Sequence, residues 1–176
     1  CIYLFDDIDD STMRYVKWLL EWEREDDRNN IPLEDRKKVT IFVNSYRGQI
    51  DSCLALCSVM KSVNLIVRTV NMFCAASAAG LILMSGTKGH RYCMENSFCL
   101  VHQGSTSGAG GTYSQMESQQ ANYRKLIKMM EGIVLSSTAI EAKEYAKIKS
   151  KENYFYCEDQ LSRKIVDYKL EKISHI

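Results

Sequence analysis

Apolar positions along this chain change period repeatedly, and those changes mark out its elements. Ile2-Tyr3-Leu4-Phe5 is a short apolar run that predicts a strand. Asp9, Asp10 and Ser11 offer N-cap oxygens to a helix carrying Met13, Val16, Leu19 and Leu20 on one side, with Trp18 and Trp22 as a second stripe. Glu23 to Lys38 is charged and holds the single proline, Pro32, which predicts a solvated loop. Val39 to Val43 reads as a buried strand and Asn44 to Gly48 as a turn. Ile50, Cys53, Leu54, Cys57 and Met60 then mark an amphipathic helix, and Asn64 to Val70 the next strand. Met72 to Met84 is the longest apolar run; it predicts a buried helix, being too short to span a bilayer and interrupted by Ser77.

Phe98-Cys99-Leu100-Val101 is a further buried strand, ending at His102. Gly104 to Gly111 holds four glycines, and a long helix follows from about Thr112 to Ser136. Its apolar positions Met116, Tyr123, Ile127, Met130 and Val134 recur near a heptad spacing, so it is expected to pack against a second chain. A helix over Ala139 to Lys149 and a strand near Ile165 to Leu170 complete the pattern. Strands alternating with helices predict an α/β fold with a largely parallel sheet. At 176 residues, 45% of them hydrophobic, the chain is expected to form one domain with a sizeable core.

Composition removes several function classes. A formal charge of +1 gives no electrostatic pull toward nucleic acid or an anionic membrane. Seven cysteines, several within apolar patterns, read as free thiols in a reducing compartment of cytoplasmic type. Three scattered histidines without a close cysteine pair predict no metal site. Gly86-Thr87-Lys88-Gly89 lacks the spacing of a phosphate loop, and Gly108 to Gly111 is no dinucleotide fingerprint, so no cofactor is expected.

Two residues carry the candidate chemistry. Ser77 lies in Cys74-Ala75-Ala76-Ser77-Ala78-Ala79-Gly80, and His102, twenty-five residues on, closes a strand. Small neighbours let a carbonyl approach the Ser77 hydroxyl, and a helix N-terminus supplies free N–H groups. The Ala78 N–H would be one oxyanion donor and that of Gly48, in the turn Asn44-Ser45-Tyr46-Arg47-Gly48, the second. Each residue alone also has a structural reading: Ser77 as the cap of a core helix, His102 as a hydrogen-bonded histidine at a strand end.

Taken together, these segments resemble the proteolytic-subunit family of the Clp protease (ClpP), serine peptidases of crotonase-like fold. Cys74 to Gly80 looks like its nucleophile motif, and Asn96-Ser97-Phe98-Cys99-Leu100-Val101-His102-Gln103 like its histidine segment. Gly89-His90-Arg91 and Asn44 to Gly48 match two further motifs in order, and the likeness runs from about Cys1 to Asp167. The resemblance implies a spiral of ββα units with a protruding handle region, about residues 103–136. It implies Ser77 as nucleophile, His102 as base, the Gly48 and Ala78 amides as oxyanion donors, and Gln103, Gly104 and Ser105 as a strand pairing with substrate. It also implies heptameric rings stacked in pairs, an AAA+ unfoldase partner and an unfolded polypeptide substrate.

The chain departs from the family in three ways. Asn153 stands where the resemblance puts the triad aspartate, with Glu152 and Asp159 as nearby acids. Tyr46 and Arg47 replace Pro and Gly in the oxyanion turn, which puts bulk and charge beside the hole. The family's N-terminal pore segment does not precede Cys1, and Glu23 to Lys38 is longer than usual. The first two features support an alternative, a catalytically impaired subunit with a structural role, in mixed rings with an active relative. A third reading is an acyl-CoA enzyme of the same fold.

Overall fold

The computed structural model describes residues 1–104 and 110–176. In chain order the strands are β1 (Ile2–Leu4), β2 (Lys38–Ser45), β3 (Ile66–Ala76), β4 (Arg91–Cys93), β5 (Phe98–Val101), β6 (Asn153–Tyr156) and β7 (Tyr168–Lys169). The α-helices are α1 (Met13–Arg28), α2 (Ile50–Ser62), α3 (Ala78–Met84), α4 (Tyr113–Ser137), α5 (Ala142–Ile148) and α6 (Cys157–Ser162). The chain is an α/β protein whose sheet is parallel except for the antiparallel pair β5–β6.

β3 organises the sheet. Its first half pairs with β2 and with β4 at Thr69–Asn71, and its second half pairs with β5 at Cys74–Ala76. The β2–β3 register slips between Val43 and Ser45, so β3 carries extra residues there and bends. The sheet thereby divides into two halves, and the ends of β3 and β5 lie side by side.

The run Met72 to Met84 is corrected by this arrangement: it is not one helix. Met72 to Ala76 finishes β3 and Ala78 to Met84 forms α3, both buried, with Ser77 as the joint. A continuous apolar run is compatible with either element, and here a change of backbone direction divides it. The strand expected over Asn64 to Val70 therefore extends to Ala76. The charged stretch after Glu23 is not all loop either, because α1 continues to Arg28. Glu and Arg favour helix, and the returning chain pairs with this turn. The Asp26 carboxylate, itself buried, accepts the Lys37 N–H at 3.0 Å, and Arg36 reaches Asp27 at 2.5 Å.

One core fills the space between the sheet and helices α1–α3, built from Leu19, Ile41, Leu56, Val67, Ile82 and their neighbours. α4 joins it only at its end: Met130, Val134 and Ser137 are buried while its first turns stand in solvent. Among the described residues no helix is long and apolar enough to cross a membrane.

Candidate active site

Ser77 is the joint between β3 and α3. Its backbone stands at φ 57°, ψ −117°, a region that costs a residue with a Cβ about 1–3 kcal/mol. The neighbouring chain holds it there. The Ser77 N–H donates to the Leu100 carbonyl at 3.0 Å, and the Ser77 carbonyl accepts the Leu81 N–H at 3.3 Å. A sharp strand-to-helix turn of this kind lifts the side chain clear of the sheet at a helix N-terminus. Gly80 allows the close approach behind it, since a Cβ there would meet Ala75 O and Cys99 Sγ at 3.1 Å.

His102 follows β5 directly. Because Ala76 pairs with Leu100, Ser77 and His102 emerge from adjacent strand ends on the same rim. The Gln103 N–H donates to Lys149 O at 2.8 Å and fixes the chain as it leaves the strand. His102 Nε2 is buried with no hydrogen-bond partner among the described residues.

The turn before α2 completes the rim. Asn44 Oδ1 accepts the Cys74 N–H at 3.2 Å and Ser45 Oγ donates to Arg47 O at 3.2 Å. Ile8 brackets Gly48 from outside: its N–H donates to Arg47 O at 3.1 Å and its carbonyl accepts the Gln49 N–H at 2.7 Å. Glycine is required at position 48 by this contact rather than by its φ, because a Cβ would lie 2.7 Å from Ile8 O and 2.9 Å from Ile8 Cα. Arg47 does not adopt a positive φ. Its guanidinium pairs with Asp7 at 2.8 Å, and Tyr46 and Arg47 both line the cleft beside Gly48, as expected.

A cleft of about 480 Å³ is lined by Gly48, Ser77, Ala78, His102, Gln103 and Gly104, six of the eight residues singled out from sequence. Ser105 lies outside the described residues. Asn153 does not line the cleft. Its Nδ2 donates to Ile148 O at 2.5 Å and Lys151 O at 2.9 Å, and lies 3.4 Å from Val101 O. It thus ties the 148–151 turn to the strand end that carries His102. Glu152 does line the cleft, and accepts the Tyr154 hydroxyl at 3.0 Å. Asp159 is engaged elsewhere, with Arg163 at 3.0 Å.

Thiols beside the site are poor nucleophiles. Burial pushes the Cys74 thiol up to about 11, and burial also raises Cys99 strongly. Both stay protonated near neutral pH. All seven cysteines are free. Among the described residues no group of three or more His, Cys, Asp or Glu side chains gathers as a metal site.

Met130, Val134, Tyr145 and Leu81, which also surround the Ser77–His102 pair, were not legible as site residues. In the sequence Leu81, Met130 and Val134 are apolar positions within predicted helices, and Tyr145 has no local signal.

Comparison with known proteins places the chain in a family. The family described as Clp protease matches residues 2–171. The chain is 31% identical over 135 residues to ATP-dependent Clp protease proteolytic subunit 1 of Corynebacterium diphtheriae, covering 77% of this chain and 65% of that protein. It is 31% identical over 140 residues to proteolytic subunit 2 of Mycobacterium tuberculosis, covering 79% and 65%. With subunit 2 of Corynebacterium jeikeium it shares 33% over 112 residues, covering 64% and 54%. The chain thus spans between about half and two thirds of the length of these curated relatives.

Proposed function

We infer that this chain, which belongs to the Clp protease family, is a serine endopeptidase that hydrolyses unfolded polypeptide inside an oligomeric chamber. The observation that carries this reading is the convergence on one cleft of Ser77 on a strained turn, His102, and the Gly48 and Ala78 backbone. In the reaction, His102 takes the proton as Ser77 Oγ attacks the scissile carbonyl. The Gly48 and Ala78 N–H groups receive the developing oxyanion. His102 then protonates the leaving amine, and water hydrolyses the acyl-enzyme by the same steps in reverse. The backbone of Gln103 and Gly104 pairs with the extended substrate.

Asn153 takes the third position of the site, where an amide can orient the His102 imidazole, and Glu152 on the cleft wall is the carboxylate available to stabilise its cation. Glu152 stands on the cleft wall with His102, while Asn153 holds the strand end through Nδ2 alone, which leaves its Oδ1 to accept an imidazole N–H. The exposed first turns of α4 support its role as the handle between stacked rings, fed by an AAA+ unfoldase.

The test is labelling of the assembled protein with a fluorophosphonate probe beside Ser77→Ala. Stoichiometric labelling that disappears in the variant is expected. An oligomer that takes no label would instead support the second reading, a catalytically impaired subunit of a mixed ring. That reading draws on the absence of a hydrogen bond to His102 Nε2 among the described residues.

A further inference from the structure

Two buried thiols outside the cleft touch one another. Cys93 closes β4, and Cys157 opens α6 directly after β6. Their sulfurs lie 3.3 Å apart, and the residues are 0% and 5% exposed. A disulfide needs its sulfurs about 2.05 Å apart, so an approach of about 1.3 Å would join this pair. The two residues belong to separate elements, and their side chains can close that gap from both sides. Cys53 and Cys57 provide the contrast. Their sulfurs are 3.9 Å apart, but both stand on α2, where Cβ atoms four residues apart are held about 5–6 Å from each other. A disulfide asks for about 3.5–4.5 Å between Cβ atoms, so a bond there would distort the helix.

We propose that Cys93 and Cys157 are a modification site, joined by a reversible disulfide when the protein meets a hydroperoxide. Transient disulfides of this kind are compatible with a reducing compartment. Cys157 keeps the little exposure that the pair has, and it is the thiol that a molecule as small as hydrogen peroxide reaches. Its sulfur, as thiolate, attacks the O–O bond and becomes a sulfenic acid, and the released hydroxide takes up a proton to give water. The Cys93 sulfur then attacks that of Cys157 and loses its own proton, and the S–OH oxygen leaves as a second water. Two thiols and one peroxide thus give one disulfide and two waters, with two electrons passing from sulfur to oxygen. Burial and the neighbouring Cys157 push the Cys93 thiol up, which makes Cys93 a poor first target but leaves it in place for the second step. The bond fastens β4 to the β6–α6 junction. Because Asn153 of β6 pairs with Val101 of β5, it also steadies the strand end that precedes His102. The closed loop takes in residues 94–156, and closing a long loop removes much of the freedom of the unfolded chain. The oxidised protein therefore resists unfolding more than the reduced one.

The experiment treats the assembled protein with hydrogen peroxide, unfolds it, alkylates the remaining thiols and maps every cysteine by mass spectrometry. A peptide pair joined through Cys93 and Cys157, two hydrogens lighter than its parts, is expected, with Cys53 and Cys57 both alkylated. The urea midpoint should rise by about 1 M on oxidation, and dithiothreitol should reverse the rise. Cys157→Ala should lose both the linked peptide and the shift; should that variant fold poorly, the linkage map of the parent protein decides. Alkylation of both Cys93 and Cys157 after peroxide overturns the proposal, as does a Cys157 sulfinic acid beside a free Cys93. A Cys53–Cys57 link in place of the expected one overturns the choice of pair. A Cys93–Cys157 link without a change of midpoint overturns the fastening of the fold.

Discussion

Asn153 and Glu152 are neighbours in sequence with opposite surroundings, and substitution separates their roles. Asn153→Asp would set a carboxylate among the carbonyls of Ile148, Lys151 and Val101, which the amide now approaches. The variant should lose about 1–3 kcal/mol of stability, read from its denaturant midpoint, with no gain in kcat. Glu152→Gln should keep its stability and lose up to about 10⁴-fold in kcat, as when a triad carboxylate becomes an amide. A faster Asn153→Asp enzyme, with Glu152→Gln unaffected, would return the acid's role to position 153. Gly48→Ala tests the oxyanion turn. The new methyl group must push the turn away from Ile8, and kcat should fall about 10²–10³-fold with KM little changed. A fall confined to KM would mean that the turn binds substrate without holding the oxyanion. The opposite facing of Asn153 and Glu152 was partly legible in the sequence. Period-two alternation puts Asn153 on the buried side with Phe155, and Glu152 on the other side with Tyr154. The positive φ of Ser77 left no such trace, since it is imposed by the bond to Leu100 O from a strand distant in sequence.

Among the elements, β7 is the least self-sufficient. It is two residues long and is held by the pair of buried Arg91 and half-buried Asp167, 2.7 Å apart, with Gly89 N–H donating to the same carboxylate at 2.8 Å. Burial alone would raise the Asp167 pKa. The hydrogen bonds and charge of Arg91, together with the backbone N–H groups of Arg91 and Gly89, outweigh that and hold it below the ordinary carboxylate range. A folded-state pKa below the unfolded value of about 3.9 means that this pair contributes fully above that pH. The contribution is lost as pH falls through the lowered value. Asp167→Asn should cost about 1–3 kcal/mol at pH 7, because buried Arg91 loses its counter-charge while keeping its bond to Ser137 O. Its stability should also fall less steeply than the parent's below about pH 4. Urea midpoints from pH 7 to pH 3 measure both, and parallel curves for the two proteins would remove Asp167 as the acid-labile group. The strand expected over Ile165 to Leu170 shrinks to Tyr168–Lys169 for a related reason. Ile165 and Val166 are apolar because they enter the core, not because they pair in the sheet. Hydrophobicity in the sequence reported their burial correctly and their secondary structure incorrectly.

At the scale of the whole molecule, α4 is the feature that a lone chain does not explain. Its 25 residues make a rod about 37 Å long, anchored in the core only near its C-terminal end. Thr112 and Gln115 cap the other end reciprocally, at 3.3 and 2.8 Å, so the exposed turns are built to persist. Helix segments that bury little on their own chain are marginal in water. Met116 and Tyr113 stand exposed near the capped end, and Tyr123 is half-buried further along. The heptad-like spacing read from the sequence reports packing within the chain instead: Met130 and Val134 enter its own core and Tyr123 lines its own cleft, so only the exposed first turns, with Tyr113 and Met116, are left for the proposed stacking of rings. Tyr113→Glu combined with Met116→Glu would bring like charges together across such a contact without touching the buried Met130 and Val134 or the cleft-lining Tyr123. The double variant should sediment at half the parent's mass and keep its helical signal in circular dichroism. An assembly of unchanged mass would show that α4 does not join the rings.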